Sequence, residues 1–299
     1  MFRILSIDGG GVRGIYPAHF LKLLSDQIDG HDLTTVFDLF VGTSTGGLIA
    51  AAIACRIPLA TVVDLYEKRS KTIFGRKRFT ARNTFRSAYD TAPLRRIVEE
   101  LFKERLLGDV QPRIVLPTTD ISNGNVFVMK SGYLPSFVRD RDIRVSDAVL
   151  ASAAAPLFFD PVRGKEYLLA DGGIWANNPS LIAYTEAVGK LGQKPEDVRL
   201  LSLGTGLGGR YYDVGKATKR WGFATGWDDL KLVNLFFNLQ SRASENSSML
   251  LLRDQYLRIG FHESNSLPLD DVSEIPRLKA KAGEAFTYRH AEVKTFLGL

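Results

Sequence analysis

The chain has 299 residues, of which 45% are hydrophobic and 24% charged, with a mean hydropathy of −0.04. These values are typical of a water-soluble globular protein with a substantial core. The single cysteine, Cys55, excludes an internal disulfide framework and fits a reducing compartment. The formal net charge of +6 favours anionic surfaces or ligands but names no partner.

The hydropathy of the sequence does not indicate a membrane-spanning segment. No apolar run approaches the roughly 18 residues that a membrane span needs, so we expect any membrane contact to be peripheral. A strand-like run begins at Phe2, and we therefore expect no signal peptide ahead of the folded chain.

Strand-like and helical runs alternate along the chain, which predicts one α/β domain with a mostly parallel sheet and helices on both faces. The motifs lie within about residues 2–210, and a mostly helical portion covers about 228–299, both within a single domain of residues 1–299. Strands are predicted at 2–8, 37–41, 113–117, 125–130, 167–170, 198–203 and 257–261. Helices are predicted at 15–28, 46–56, 59–71, 93–103, 145–154, 228–256 and 275–297.

A glycine-rich turn, Asp8-Gly9-Gly10-Gly11-Val12-Arg13-Gly14, follows the first strand. Its glycines at 9, 11 and 14 satisfy G-x-G-x-x-G, so a dinucleotide-binding oxidoreductase is one alternative. That interpretation needs an acidic residue at the end of the second strand, where this chain has Val41-Gly42-Thr43-Ser44. Consecutive glycines also leave backbone N–H groups uncovered for an oxyanion or a phosphate, and Arg13 adds a fixed positive charge.

A second glycine pattern, Gly204, Gly206 and Gly209, follows a later strand. The residues after it, Tyr211-Tyr212-Asp213-Val214-Gly215, do not continue as a helix. A nicotinamide or flavin site is therefore disfavoured at this position as well.

The second strand leads into Gly42-Thr43-Ser44-Thr45-Gly46. In a G-x-S-x-G turn between a strand and a helix, the two glycines permit a tight bend that exposes the serine Oγ. The helix N-terminus beneath the turn favours developing negative charge. We therefore expect Ser44 to be a nucleophile rather than part of a plain connecting turn.

None of the four histidines is well placed to activate this serine. They are His19, His31, His262 and His290, of which His262, after the last short strand, is the least unsuitable. A desolvated carboxylate can act as the base instead. Asp171 follows an apolar strand and precedes Gly172 and Gly173. Alone, this pattern is typical of an Asx turn, but together with Ser44 it predicts a catalytic pair.

A basic segment from Lys68 to Arg96 interleaves positive and aromatic side chains, and its only acidic residue is Asp90. It fits a solvated loop, a contact with an anionic bilayer, or a site for an anionic effector. Nucleic acid is disfavoured because no known binding module surrounds the patch. Its members include Arg69, Lys71, Phe74, Arg76, Lys77, Arg78, Phe79, Arg82, Phe85, Arg86, Tyr89 and Arg95.

The glycine-rich turn that begins at Asp8, the turn around Ser44 and the Asp171-Gly172-Gly173 sequence, in this order, resemble the motifs of the patatin-like phospholipase family. Those motifs are Asp-Gly-Gly-Gly-x-Arg-Gly, G-x-S-x-G and a distal Asp-Gly-Gly or Asp-Gly-Ala. Further similar stretches are 151–156 with Phe158-Phe159, 175–179 and 202–206, so the likeness spans about residues 2–210. The resemblance implies a three-layer α/β fold and hydrolysis of acyl esters in phospholipids or glycolipids.

The resemblance also assigns roles to residues. It implies that Ser44 attacks the carbonyl and that Asp171 accepts the serine proton. It implies that the N–H groups of Gly10 and Gly11 bind the oxyanion while Arg13 stabilises the turn or a lipid phosphate. No metal or cofactor is implied. The sequence does not indicate which lipid headgroup the enzyme prefers or which acyl position it cleaves.

The compact form resembles bacterial members of the family that act in anti-phage defence when cyclic nucleotides switch them on. On this basis we expect a cytoplasmic enzyme that contacts the inner membrane peripherally, with a cyclic dinucleotide as activator and a homo-oligomer as an open option. The remaining alternative is a non-catalytic module that binds lipid or nucleotide.

Overall fold

The computed structural model describes residues 1–75, 86–164, 166–213, 215, 221–222, 227 and 229–299. The strands are β1 (Phe2–Ile7), β2 (Leu39–Gly42), β3 (Arg113–Asp120), β4 (Asn125–Lys130), β5 (Val162–Arg163), β6 (Leu168–Asp171), β7 (Val198–Leu203) and β8 (Tyr256–Ile259). The helices are α1 (Ile15–Ser25), α2 (Thr45–Ala54), α3 (Leu59–Phe74), α4 (Thr91–Phe102), α5 (Val145–Ser152), α6 (Gly173–Ala176), α7 (Ser180–Gly189), α8 (Asp229–Leu252) and α9 (Ile275–Leu297).

The strands form one sheet in the order β5-β6-β3-β2-β1-β7-β8, with β4 paired to β3 beside that path. The strands β3, β2, β1, β7 and β8 run parallel to one another, and β4, β5 and β6 join antiparallel. The predicted, mostly parallel sheet is therefore confirmed. Strands β3 and β4 form a hairpin across Asn123-Gly124.

Strand β1 lies at the middle of the sheet, and its register brings the functional loops together. Ile7, its last residue, pairs with Gly42 of β2 on one side and with Leu203 of β7 on the other. The carboxyl ends of parallel strands meet at one edge of a sheet. The glycine turn, the serine elbow and the Gly204–Gly206 loop therefore leave the sheet side by side.

Alternate residues of β1 pack into two separate cores, which makes the fold three-layered. Leu5 and Ile7 belong to the large core that includes α1, α2, α3, α5 and α9. Phe2 and Ile4 pack against α7 and the end of α8 on the other face. Because both faces are covered, β1 carries buried apolar residues on both of its faces and not on one face alone.

Some element boundaries differ from expectation. Helix α3 continues to Phe74, three residues past its predicted end, because Ile73 and Phe74 pack inward against the core. Helices α6 and α7 and the two-residue β5 had no predicted counterpart. The short α6 and β5 offer too few residues for a periodic pattern to emerge.

The basic segment is less irregular than expected at its two ends. Phe74 ends α3, and its ring lies 5.3 Å from that of the buried Tyr89, so both rings are core residues and not surface ones. Lys68, Arg69 and Arg95 form ion pairs on helices α3 and α4. Arg76, Lys77, Arg78, Phe79, Arg82 and Phe85 lie outside the described residues.

Across the described ranges, we find no helix that combines the length and apolar character required to cross a bilayer.

Candidate active site

Ser44 occupies a strained backbone position at the end of β2. Its φ of 57° and ψ of −123° are rare for a residue with a side chain. Gly42 and Gly46 permit the bend, because a Cβ on Gly42 would overlap the carbonyl of Gly46 and a Cβ on Gly46 would overlap that of Ile7. The sharp turn places the Ser44 side chain above the sheet, at the N-terminus of α2.

A buried hydroxyl of α5 fixes this elbow from below. The Ser44 N–H donates to Ser152 Oγ at 3.0 Å, and Ser152 Oγ donates to the carbonyl of Pro117 at 2.7 Å. These two consecutive hydrogen bonds connect β3 to Ser44 through Ser152, and they give the backbone N–H of the strained Ser44 an acceptor. An unpaired N–H at this buried site would cost about 1–3 kcal/mol.

Asp171 ends β6, which pairs with β3, so the sheet carries it to the Ser44 edge. Its Oδ1 accepts the Gly173 N–H at 2.6 Å, and its buried Oδ2 has no hydrogen-bond partner among the described residues. Burial raises the pKa of Asp171 to about 7, while the Gly173 N–H and the nearby Ser44 hydroxyl oppose that rise. Gly172 lies so close to Pro117 that a Cβ there would overlap its carbonyl.

The glycine turn presents two free N–H groups. Gly11 has a φ of +57°, and no described acceptor takes the N–H of Gly10 or of Gly11. The Gly9 carbonyl accepts from Thr205 Oγ1 at 2.7 Å, and the Gly10 carbonyl accepts from Arg13 Nε at 3.1 Å. Because a peptide group is planar and trans, holding each carbonyl aims the following N–H in the opposite direction. The two N–H groups are therefore preorganised.

Arg13 is buried within the turn it stabilises. Besides Gly10, its guanidinium donates to the carbonyls of Gly206 and Leu267, at 3.2 and 3.4 Å. Burial lowers its pKa to about 10, so it stays charged at neutral pH. With its donors committed to backbone carbonyls, Arg13 fits the turn-stabilising role better than contact with a lipid phosphate.

Asp8, at the start of the turn, is held by a bidentate ion pair with Arg258 of β8, at 2.8 and 2.5 Å. Arg258 also donates to Ser202 Oγ at 2.7 Å and lies 3.5 Å from Glu245 of α8. Both partners are buried, so removing either would leave an uncompensated charge. The C-terminal part of the chain thereby anchors the first motif.

Asn177 connects the turn with helix α8. Its backbone carbonyl accepts the Gly9 N–H at 2.9 Å, and its Nδ2 donates to Ser241 Oγ of α8 at 2.8 Å. Gly9 and Gly173 both approach the Asn177 amide so closely that a Cβ on either would crowd its Oδ1. Gly14 is equally confined, by the Thr45 and Tyr66 hydroxyls. The motif glycines are therefore sites of close approach.

Ser44, Gly10 and Gly11 line a cavity whose wall is almost entirely apolar and which is partly open to solvent. Helices α3, α4 and α5, the Phe158-Phe159 loop and α8 supply its wall. Such a cavity suits a hydrocarbon chain. Its apolar lining is Leu48, Leu65, Ile73, Phe74, Leu94, Val149, Phe158, Phe159, Phe237 and Leu269.

No histidine lines this cavity in the described part of the chain. The backbone of His262 forms an isolated β-bridge with Leu207. The rings of His31 and His290 contact backbone carbonyls of residues close to them in sequence. His19 lies on α1, where burial lowers its pKa. Asp171 is thus the base candidate that the fold brings to Ser44.

Ser152, Thr205 and Asn177 support the site and were not singled out from sequence. Each acts through a partner far along the chain, so no local pattern assigns its contact. A signal was nevertheless present, because all three lie in stretches similar to the patatin-like family. Those stretches are 151–156, 175–179 and 202–206.

Comparisons with known proteins agree with this geometry. A family model described as patatin-like phospholipase matches residues 5–184. A cGAMP-activated phospholipase from Pseudomonas aeruginosa is 34% identical over 208 residues, which cover 68% of this chain and 62% of that protein. A cUMP-AMP-activated phospholipase from Escherichia coli is 28% identical over 313 residues, which cover 99% of this chain and 93% of that protein.

A second cGAMP-activated phospholipase, from Vibrio cholerae, is 32% identical over 70% of this chain and 65% of its own length. The chain thus matches just under two thirds of the Pseudomonas and Vibrio proteins. Among solved structures, VipD from Legionella pneumophila aligns with a TM-score of 0.54 and 14% identity, covering 99% of this chain and 66% of VipD. That likeness concerns the fold alone.

Proposed function

This chain belongs to the patatin-like phospholipase family, and from that premise we propose that it is a serine lipid acyl hydrolase that cleaves acyl esters of membrane phospholipids. One observation carries the proposal. The strained Ser44 and the free N–H groups of Gly10 and Gly11 line one apolar cavity, and the buried Asp171 lies beside the Ser44 hydroxyl. That set contains a nucleophile, a base, an oxyanion site and room for an acyl chain.

In the acylation step, Asp171 accepts the proton of Ser44 while Oγ attacks the ester carbonyl carbon. The carbonyl oxygen becomes negative in the tetrahedral intermediate and binds the N–H groups of Gly10 and Gly11. Donors held in place before the reaction are effective here, and losing one such donor typically slows an enzyme about 10²–10³-fold. Thr205 and Arg13 act as positioning residues because they hold the adjacent carbonyls.

Collapse of the intermediate breaks the bond to the alcohol oxygen. Asp171 returns its proton to that oxygen, the lysolipid leaves, and the acyl group stays on Ser44. A water molecule then attacks the acyl-enzyme while Asp171 accepts its proton. The bond between the acyl carbon and Ser44 Oγ breaks, Asp171 returns the proton to Oγ, and the fatty acid is released. The same carboxylate serves both half-reactions.

The raised pKa of Asp171 suits this role. A carboxylate with an ordinary pKa is a weak base, whereas one with a pKa of about 7 is close to the optimum for neutral pH. Its free Oδ2 is available for the proton, while Oδ1 is occupied by Gly173.

The apolar cavity supports a long-chain substrate. Each methylene removed from water contributes about 0.8 kcal/mol, so the aromatic and aliphatic wall would bind an acyl tail far better than a short ester. We propose that this wall sets the chain preference and that the lipid reaches it from a membrane surface.

The relatives from Pseudomonas, Vibrio and E. coli are named for activation by cGAMP or cUMP-AMP. We propose that a cyclic dinucleotide also activates this chain. The oxidoreductase alternative is not supported, because β2 ends at Gly42 and leads into Ser44 and not into an acidic residue, and because Gly11 packs against the Leu269 carbonyl.

The test is fatty-acid release from phospholipid vesicles, with and without a panel of cyclic dinucleotides. We compare the wild type with Ser44→Ala and Asp171→Asn, and we expect release by the wild type only. Release by either variant at the wild-type rate contradicts the dyad. If the wild type binds vesicles or nucleotide but releases no fatty acid in any condition, the non-catalytic alternative is favoured.

A further inference from the structure

Helix α8 buries small polar residues and exposes large apolar ones. Its inward side chains include Ser241 and Ser244, which contact Asn177 and the carbonyl of Asn178. Phe236 and Leu239 point outward, with exposed fractions of 55% and 50%. These two residues are three positions apart and therefore lie next to each other on one side of the helix.

Three aromatic side chains extend this exposed surface beyond the N-terminal turn of α8. The rings of Tyr212, Trp221 and Trp227 lie within 5.1–5.8 Å of one another, and both tryptophans are 40% exposed. Lys231 of α8 places its Nζ 4.9 Å from the centre of the Tyr212 ring, which joins the aromatic cluster to the helix. We call Tyr212, Trp221, Trp227, Phe236 and Leu239 the aromatic face.

We propose that the aromatic face is the surface through which this protein docks on an anionic phospholipid bilayer. Tryptophan and tyrosine favour the boundary between headgroups and acyl chains, because each ring has an apolar body and a polar edge. Phe236 and Leu239 would enter the acyl boundary beside them. The inference rests on the proposed function, since it names how that site reaches its lipid.

The charges around the aromatic face agree with this occupant. The sequence from 210 to 244, which spans the aromatic face, contains six basic residues and three acidic ones (Asp213, Asp228 and Asp229), a net charge of +3, and two of its cations, Lys231 and Arg242, lie on α8. No described carboxylate forms an ion pair with either cation. Anionic headgroups attract basic residues near a membrane surface by about 1 kcal/mol each.

A second copy of this chain fits the same face less well. In a two-fold dimer, the aromatic face would meet its own copy, so two segments that each carry a net charge of +3 over 210–244 would face each other. A bilayer supplies the missing negative charge.

The position of the aromatic face also relates it to the cavity. Phe237, the residue next to Phe236, lines the cavity of Ser44. Helix α8 therefore has the catalytic cavity on one side and the aromatic face on the adjoining side. Docking through this face would bring the membrane to within the width of one helix of the acyl-chain cavity.

The binding test uses full-length protein with Ser44→Ala, so that no product alters the membrane. Its probe is vesicles of equal parts phosphatidylcholine and phosphatidylglycerol, collected by sedimentation. Replacing Phe236 and Leu239 with serine should weaken binding about tenfold, equivalent to about 1.4 kcal/mol. A matched control replaces the exposed Val126 and Val138 with serine and should bind normally.

Tryptophan fluorescence supplies a second readout. Trp175 is the third tryptophan of the chain, and its indole donates to the Thr118 carbonyl inside the fold. Lipids brominated on the acyl chain should quench the wild type strongly. Quenching should be largely lost when Trp221 and Trp227 are both changed to phenylalanine.

Three outcomes would overturn the docking surface. They are unchanged vesicle binding by the Phe236→Ser, Leu239→Ser protein, unchanged quenching without Trp221 and Trp227, and light scattering that shows this serine variant to be a monomer where the wild type is a dimer. With Ser44 restored, the serine variant should hydrolyse a soluble short-chain ester at the wild-type rate. Vesicle binding without hydrolysis of either substrate by the wild type would contradict the proposed function and leave the docking surface intact.

Discussion

The hydroxyl of Thr205 donates to the carbonyl of Gly9 at 2.7 Å, across 196 positions of sequence. The contact exists because β1 and β7 are neighbouring parallel strands whose ends, Ile7 and Leu203, are paired. Through the planar peptide, a hydrogen bond to one carbonyl determines where the Gly10 N–H points. The geometry of the oxyanion site thus depends on a residue that does not touch the substrate.

Thr205→Val should lower kcat about tenfold while leaving KM within about twofold, because a less well oriented donor weakens binding of the transition state more than of the substrate. Valine preserves the shape of threonine, so packing against Gly10 is retained. The measurement is steady-state hydrolysis of a soluble ester. Thr205→Ser keeps the hydroxyl and should recover most of the rate, and equal losses in both variants would argue against the hydrogen bond.

The pH profile should report Asp171. Since the carboxylate must be ionised to accept the serine proton, kcat/KM should rise about tenfold per pH unit below neutrality and level off above about 7. Soluble-ester kinetics between pH 5 and pH 9 would measure this, at intervals of about half a unit. A kcat/KM that is already constant from pH 5 upward, as an aspartate with the ordinary pKa of 3.8 would give, would contradict a buried base.

Asp171 should also make the protein less stable as the pH rises. The folded state keeps the proton up to about pH 7, whereas the unfolded chain loses it near 3.8. Between these values the folded state binds more protons, so the free energy of unfolding falls with increasing pH. Asp171→Asn removes this dependence and should be up to about 4 kcal/mol more stable than the wild type at pH 8, with no such gain below pH 4. Denaturant unfolding at both pH values would show it, and a gain independent of pH would refute the ionisation argument.

Two serines of α5 offer a matched comparison. Ser152→Ala leaves the buried Ser44 N–H without an acceptor and should cost about 1–3 kcal/mol, with a parallel loss of activity as the elbow loosens. Ser146 is equally buried, but its Oγ has no partner among the described residues, so Ser146→Ala should change stability by less than about 1 kcal/mol. Thermal unfolding of both variants would separate the two cases, and similar costs would contradict the assigned hydrogen bond.

The cavity wall should determine acyl-chain length. Leu94 of α4 lines the cavity, away from the elbow in sequence. Leu94→Trp fills space that a long chain would use, so activity should shift toward short esters by about tenfold in relative kcat/KM. Leu94→Met conserves volume and serves as the control. A series of esters of increasing chain length is the measurement, and an unchanged profile in Leu94→Trp would place the acyl chain elsewhere.

Much of the site was readable from local patterns. The strand–turn–helix context of Ser44 and the glycines around Asp171 depend on residues within a few positions of each other, so the sequence predicts them directly. The fold then explains why they meet. Strand β6 pairs with β3 beside β2, which carries a distant aspartate to the serine elbow.

The supporting contacts were not readable in the same way. Thr205, Ser152 and Arg258 each act on a residue from another strand or helix, and hydrogen bonds at such separation leave no period in the sequence. Phe74 and Tyr89 show the opposite error. Their basic neighbours favoured a surface interpretation, whereas both rings pack against Phe159 in the core, and Phe74 also lines the cavity.

The anchoring of Asp8 by Arg258, and of Val12 by the Leu269 carbonyl, has a consequence for how the chain is made. A ribosome releases the glycine turn and the serine elbow early, long before residues 258–269 emerge. Until those residues arrive, the turn has no buried cation beneath it and no strand β8 beside β7. A nascent chain would therefore hold the whole nucleophilic half of the site without the geometry to use it, and the capacity to attack lipid would arise only after residues 258–269 have emerged.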